Sequence, residues 1–224
     1  MSSRGQYIAT QSEDTLYIHL YIGSEITARL NGREITLKLD ADLTRGGHVE
    51  IHVLSGEAEG TVALRLPGWA RNGSAEASQG GRVENGYFHF TGNWRAGDTI
   101  TADFPMTVQA IAASPLVRET MHQVCYTWGP WVYCAEEADN GKDLHLLRAC
   151  PKKTGEARFT EKQIDGLTMP ALTVPGKRVT VPENSSLYAP WHQPETEETK
   201  ITLIPYFAWN NRGKGEMRVW LEAE

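Results

Sequence analysis

Leu16-Tyr17-Ile18-His19-Leu20-Tyr21-Ile22 alternates without a break, aliphatic residues to one side and Tyr17, His19 and Tyr21 to the other. An extended backbone sends successive side chains to opposite faces, so this stretch reads as a strand with one apolar face. The same period of two recurs in Ile26, Ala28, Leu30, in Ile35, Leu37, Leu39 and in Val49, Ile51, Val53. It returns in Val62, Leu64, Leu66 and in Ile100, Ala102, Phe104. Asn31-Gly32 separates two of these runs, and a tight hairpin demands two such residues, which tolerate positive φ. Asn85-Gly86 precedes another run, Tyr87 to Phe90. No long segment carries a helical period. The chain is therefore all-β, and one-sided strands joined by tight turns predict antiparallel sheets packed face to face.

Residues up to about Ala112 supply enough strands for one sandwich. Past Pro115 the pattern restarts with Glu119 to Tyr126 and Trp131 to Glu136, then loosens through the Pro- and Lys-rich stretch Cys150 to Pro182. It recovers in Ile201 to Tyr206 and in a final run, Glu216 to Leu221. Pro182 to Thr199 reads as a long surface loop. This organisation predicts two antiparallel, jelly-roll-like β-sandwiches in series, with a boundary near residues 112 to 115.

The 224 residues carry 22 basic and 28 acidic side chains, a net charge of -6, and 40% are hydrophobic. That is apolar enough for a sizeable core and too mixed for a disordered chain. No apolar run approaches the roughly 18 residues of a spanning helix, which argues against a membrane protein. A nucleic-acid partner calls for the opposite charge or a dense basic stripe. Cys125, Cys134 and Cys150 have neither the pairing number nor the CxxC spacing of a disulfide or zinc framework. Free buried thiols fit a reducing compartment, the cytoplasm; Met1 to Gly5 has no apolar signal core, and little follows from that, because the chain need not begin where its gene does.

Chemistry-bearing residues are sparse. Glycosidases need two carboxylates, and Glu136, Glu137 and Asp139 form the densest acidic group, although a solvated strand end has the same composition. Glu197-Glu198 lies in the long loop. His48 and His52 share a strand face with Glu50 between them, a spacing open to a metal but equally to an exposed sandwich edge. His122 and Cys125, three apart on a strand, face opposite ways and make no nucleophile-base pair. Cys134 needs no role beyond that of a small hydrophobe. No GxSxG elbow, phosphate loop or HExxH is present. Of the 7 tryptophans, Trp94 and Trp220 fall in strand patterns and are expected in the core. Trp191 and Trp209, in or beside loops, are the ones placed to stack on a sugar or to fill an interface.

Several segments together resemble the C-terminal part of family 127 glycoside hydrolases, the β-L-arabinofuranosidase family. They are Gln6 to Asp14 leading into Leu16 to Ser24, Leu64-Arg65-Leu66-Pro67-Gly68-Trp69-Ala70, and Trp94-Arg95-Ala96-Gly97-Asp98 leading into Phe104-Pro105-Met106. Gly129-Pro130-Trp131-Val132-Tyr133-Cys134-Ala135-Glu136 and Ile204 to Gly213 with Gly215-Glu216-Met217 complete the set. Trp128 departs from the pattern, which often has Arg before Gly-Pro. The resemblance implies that catalysis belongs to an (α/α)6 barrel, with a zinc-bound cysteine nucleophile and a glutamate acid/base, upstream of where Met1 aligns. No catalytic, cofactor-binding or zinc residue is carried onto this chain. It also implies that the last strand returns to the first sandwich, giving residues 10–112 plus 213–224 for the first domain and 113–212 for the second.

On this reading the chain is an accessory β-region that buttresses the barrel, through a face including Tyr17, His19 and Tyr21, and supplies a homodimer surface. The rival reading is an autonomous carbohydrate-binding module with Trp191 or Trp209 as its platform. A third is a self-sufficient hydrolase using Glu136 and Asp139.

Overall fold

A computed structural model of the chain describes residues 3–44, 46–183 and 186–224. Two compact units divide it, Met1–Met106 and Thr107–Glu224. Both are β-sandwiches; the only α-helix among the described residues is the turn Glu137–Asn140 (α1). Among the described residues no helix is long and apolar enough to cross a membrane.

The first unit contains β1 (Ala9–Gln11), β2 (Thr15–Ile18), β3 (Ser24–Leu30), β4 (Arg33–Ala41) and β5 (His48–Arg65). It continues with β6 (Ser74–Ala77), β7 (Arg82–Glu84), β8 (Tyr87–Arg95) and β9 (Thr99–Asp103). The 18-residue β5 belongs to both layers. Its first half pairs with β4 and β9, its second half with β2 and β8. The buried positions change parity between the halves, from Val49, Ile51 and Val53 to Ala58, Val62 and Leu64. A β-bulge opposite Thr36 and Leu37 inserts the extra residue that allows this change. Gly56 sits there at φ +93, with Glu34 O only 2.2 Å from where a Cβ would be. Both features exclude a side chain. The crossing lets one strand keep its apolar side inward in two layers, around a core that includes Trp94, Phe90 and Phe104.

The two expected hairpins form: Asn31-Gly32 has φ of 49 and 78, and Asn85-Gly86 of 50 and 78. These are the values of a two-residue turn with both residues left-handed. Pairing is antiparallel throughout the first unit except for β2 against β5, which is parallel. Tyr21 departs from the expected outward face. It is buried, its hydroxyl donates to Arg65 O and its ring packs on Phe104, because the alternation ends with β2 at Ile18.

The second unit contains β10 (Val108–Ala112), β11 (Gln123–Trp128), β12 (Trp131–Glu136), β13 (Leu147–Ala149) and β14 (Arg158–Ile164). β15 (Leu167–Val179), β16 (Thr196–Pro205), β17 (Met217–Arg218) and β18 (Leu221–Ala223) complete it. Its pairings run full circle, β11 to β12, β16, β15, β13, β18 and back to β11. The boundary lies earlier than expected, since β10 pairs with β11 and residues 107–112 belong to the second unit. The last strand is also corrected: β17 pairs with β12, and β18 lies between β11 and β13, parallel to the latter. The gap between β11 and β13 would otherwise expose two sheet edges, and Leu221, 1% exposed, completes the core beside Val124 and Ala149.

The middle stretch that looked irregular is a long hairpin, β14–β15, around Asp165-Gly166, with φ of 49 and 77. Its strand character is masked by Pro170 and Pro175. Pro170 pairs only with β14, because β16 joins β15 from Leu172 onward. Pro175 pairs only with β16, falling between the ends of β14 and β13. Each proline thus sits where the strand has a free side. A second apolar cluster, with Cys134, Met169, Ala171, Ile204 and Ala208, covers the opposite face of these strands and is completed by Met217 and Val219.

Gly56→Ala is predicted to destabilise the first unit by about 2–4 kcal/mol, from strain plus the backbone clash. Gly32→Ala, with nothing within 4 Å, should cost only about 1 kcal/mol. Urea unfolding of the two variants checks this; equal losses would contradict the crossing argument.

Candidate functional site

The densest polar constellation lies where β12 ends. Glu136 closes that strand, and α1 then turns Asp139 back towards it. Pro205 ends β16, a 3₁₀ turn Tyr206–Ala208 follows, and the loop beyond brings Arg212 over both carboxylates. Arg212 Nε donates to Glu136 Oε2 at 3.0 Å and Nη2 to Asp139 Oδ2 at 2.7 Å, with a further Nη2 bond to Glu136. Lys162 of β14 donates to the other Asp139 oxygen. Glu136 Oε1 accepts the Asn210 backbone N–H at 2.8 Å. The side chains of Glu136 and Asp139 are 9% and 7% exposed.

Burial pushes the Asp139 carboxyl up, but the bonds from Arg212 and Lys162 prevail and hold it below its ordinary value. Two charge-neutralised carboxylates are poor tools for glycoside hydrolysis, in which one of the pair must hold a proton for the leaving group. The neighbouring acids Glu216 and Glu137 hold backbone groups. Glu216 accepts the backbone N–H groups of Asp143 and Leu144, and Glu137 accepts that of Glu216. Asn140 bridges Glu136 O and both backbone groups of Thr202.

Between α1 and residues 209–216 lies an open cleft of about 230 Å³, bordered by Glu137, Trp209, Asn210, Arg212, Lys214 and Glu216. Trp209 is 38% exposed, and its ring lies 6.4 Å from that of Tyr206 with an interplanar angle of 19°. Phe207 makes an edge contact with Trp131 at 4.8 Å. Trp191 stands apart on the loop after β15, 87% exposed, beside the equally bare Leu187 and Tyr188. Trp209 therefore borders a cleft.

The other sequence-singled residues are dispersed. His48, Glu50 and His52 share an exposed face; His48 bonds Asp103 at 2.7 Å and Glu50 at 3.2 Å, and His52 lies 3.2 Å from Glu50. The Asp103 and Glu50 carboxylates raise the His48 pKa. Among the described residues no group of three or more His, Cys, Asp or Glu is arranged to hold a metal. Cys125, Cys134 and Cys150 are buried thiols, and burial pushes Cys134 up to about 12. His122 is exposed while Cys125 is buried. Trp94 is fully buried, donating to Gly60 O at 3.2 Å; Trp220 is only half-buried, at a bend before β18. Arg212 and Lys162 carried no local signal, being 73 and 23 residues from Asp139.

On the outer face of the first unit, Tyr17, His19, Tyr87 and His89 stand together, ring centroids 5.5–6.3 Å apart. Ala63, between Tyr17 and His89 in register, is fully covered. His19 also bonds Tyr87 Oη at 2.9 Å and Thr10 Oγ1 at 2.7 Å.

Residues 108–222 match the glycoside hydrolase family 127 C-terminal domain, and residues 15–106 match the GH127 middle domain, described as beta-L-arabinofuranosidase. The chain belongs to glycoside hydrolase family 127. It is 32% identical to the non-reducing end beta-L-arabinofuranosidase of Bifidobacterium longum subsp. longum, over 98% of this chain and 35% of that protein. Ara127N, a GH127 beta-L-arabinofuranosidase from Geobacillus stearothermophilus T6, superposes with a TM-score of 0.88 at 33% identity, over 99% of this chain and 36% of that one. The β-arabinofuranosidase BT3674 shares the fold, with a TM-score of 0.82 at 24% identity, over 99% of this chain and 37% of that one. The chain thus spans about a third of the length of these relatives.

Arg212→Met is predicted to destabilise the second unit by about 3–5 kcal/mol, because it strands buried carboxylates. Asp139 has a folded pKa below its unfolded value, so its stabilisation is complete above about pH 4 and is lost as pH falls through the folded pKa. Thermal melts between pH 2 and 7 should show that acid limb in the wild type and a flatter one in Arg212→Met. Parallel curves would refute the clamp.

Proposed function

We propose that this chain is a non-catalytic accessory region of a family 127 glycoside hydrolase, supporting a catalytic (α/α)6 barrel upstream of the middle domain. The observation that carries this reading is the state of Glu136 and Asp139, both buried and ion-paired to Arg212. The parent's substrate would be a β-L-arabinofuranoside, as the relatives' names state. Zinc would belong to the barrel: the three cysteines here are buried in separate places and do not fit as its ligands. The cluster of Tyr17, His19, Tyr87 and His89 supports a docking role for the outer face of the first unit, since tyrosine-rich, half-buried patches are typical of interface cores. A homodimer surface fits the exposed Ile111, Leu116, Val117 and Met121, which lie in and after β10.

The purified chain, reduced and incubated with an aryl β-L-arabinofuranoside, is predicted to show no turnover with or without added zinc. Turnover that disappears in Glu136→Gln or Asp139→Asn would overturn the reading and place the chemistry in this chain.

A further inference from the structure

We propose that the cleft between α1 and residues 209–216 is a binding subsite for a single neutral sugar ring, with Trp209 as its stacking face. Three observations converge there. First, Trp209 offers an indole that is exposed yet held, close to parallel with Tyr206 on a turn that follows Pro205. The turn is pinned by Asn211 Nδ2 donating to Ala208 O at 3.1 Å and by Glu136 accepting the Asn210 N–H. An aromatic face fixed in this way loses little conformational entropy when a ligand covers it.

Second, the floor is neutral. Glu136, Asp139, Arg212 and Lys162 pair with one another beneath the cleft, so the ionic groups left to face a ligand, Glu137, Lys214 and Glu216, stand on its rim. Third, the rim carries the Asn210 amide and the Lys214 ammonium, whose side chains have no partner among the described residues, beside Glu137 and Arg212. A ligand with one apolar face and several hydroxyls satisfies both the ring and the rim, and a sugar has that make-up. At about 230 Å³ the cleft has room for roughly eight waters at liquid density, the scale of one ring rather than a polymer.

The subsite goes beyond the accessory role and stands apart from it. An accessory region that binds no sugar would still show no turnover, so failure of this proposal leaves that reading intact. Titrating the purified, isotope-labelled chain with L-arabinose and with a short L-arabinofuranosyl oligosaccharide tests it. Saturable, millimolar binding is expected, with shifts confined to the Trp209 indole and the amides of residues 209–216 and 137–139. Trp209→Ala should weaken it at least tenfold and Trp191→Ala should leave it unchanged. Should Trp209→Ala lose its fold by thermal melt, Asn210→Ala provides the second variant, with a severalfold loss expected. Absence of saturation, shifts located elsewhere, or full binding by folded Trp209→Ala overturns the proposal. So does a loss of self-association in Trp209→Ala without any sugar response, which would make the patch a contact between copies.

Discussion

The guanidinium of Arg212 fastens two segments of the second unit that lie more than 70 residues apart in sequence. It bonds Glu136 at the end of β12 and Asp139 in the helical turn, and it sits on the loop that leads to the last two strands. That loop covers the outer apolar cluster, where Ala208, Met217 and Val219 meet Cys134 and Ile204. Beyond it, β18 fills the gap between β11 and β13. The carboxylates are therefore best understood as anchors for the returning chain. Buried ionic groups of this kind add little net stability, yet removing one partner is severe, which makes them fixers of a single arrangement.

The two units manage their sheet edges differently. In the first, β5 crosses from one layer to the other, so a single backbone is paired on both sides in both sheets. The bulge and Gly56 are the local cost of that economy, because the apolar parity has to change where the layers change. In the second, the pairings close into a ring, and the chain end is the closing strand. Three left-handed Asn-Gly or Asp-Gly turns close hairpins, two in the first unit and one in the second. Packing, not helical propensity, organises the whole chain.

Much of this was legible in the sequence. The alternation from Leu16 to Ile18 and through β3, β4 and β5, the Asn-Gly turns, and the family 127 segments all act locally or in register, and local signals survive in a single sequence. What was not legible depends on distance. The path of the last strand depends on which gap Leu221 can fill. The β14–β15 hairpin was hidden by prolines that only the neighbouring strand ends make tolerable. Tyr21 continued the alternation on paper but turns inward once β2 has ended. The acidic cluster was visible, while its cations, from β14 and the loop after β16, had no spacing to betray them. Trp191 and Trp209 look alike as loop tryptophans, and the cleft beside Trp209 is made only by the fold.

An accessory reading of this chain rests on Asp139 being an ionised anchor and not a proton donor. The most direct measurement is a ¹³C NMR titration of the Asp139 side-chain carboxyl in the intact chain. The account predicts ionisation below the ordinary carboxyl value of 3.8, with no step towards neutrality. A carboxyl that keeps its proton to about pH 6, as a general acid does, would contradict it.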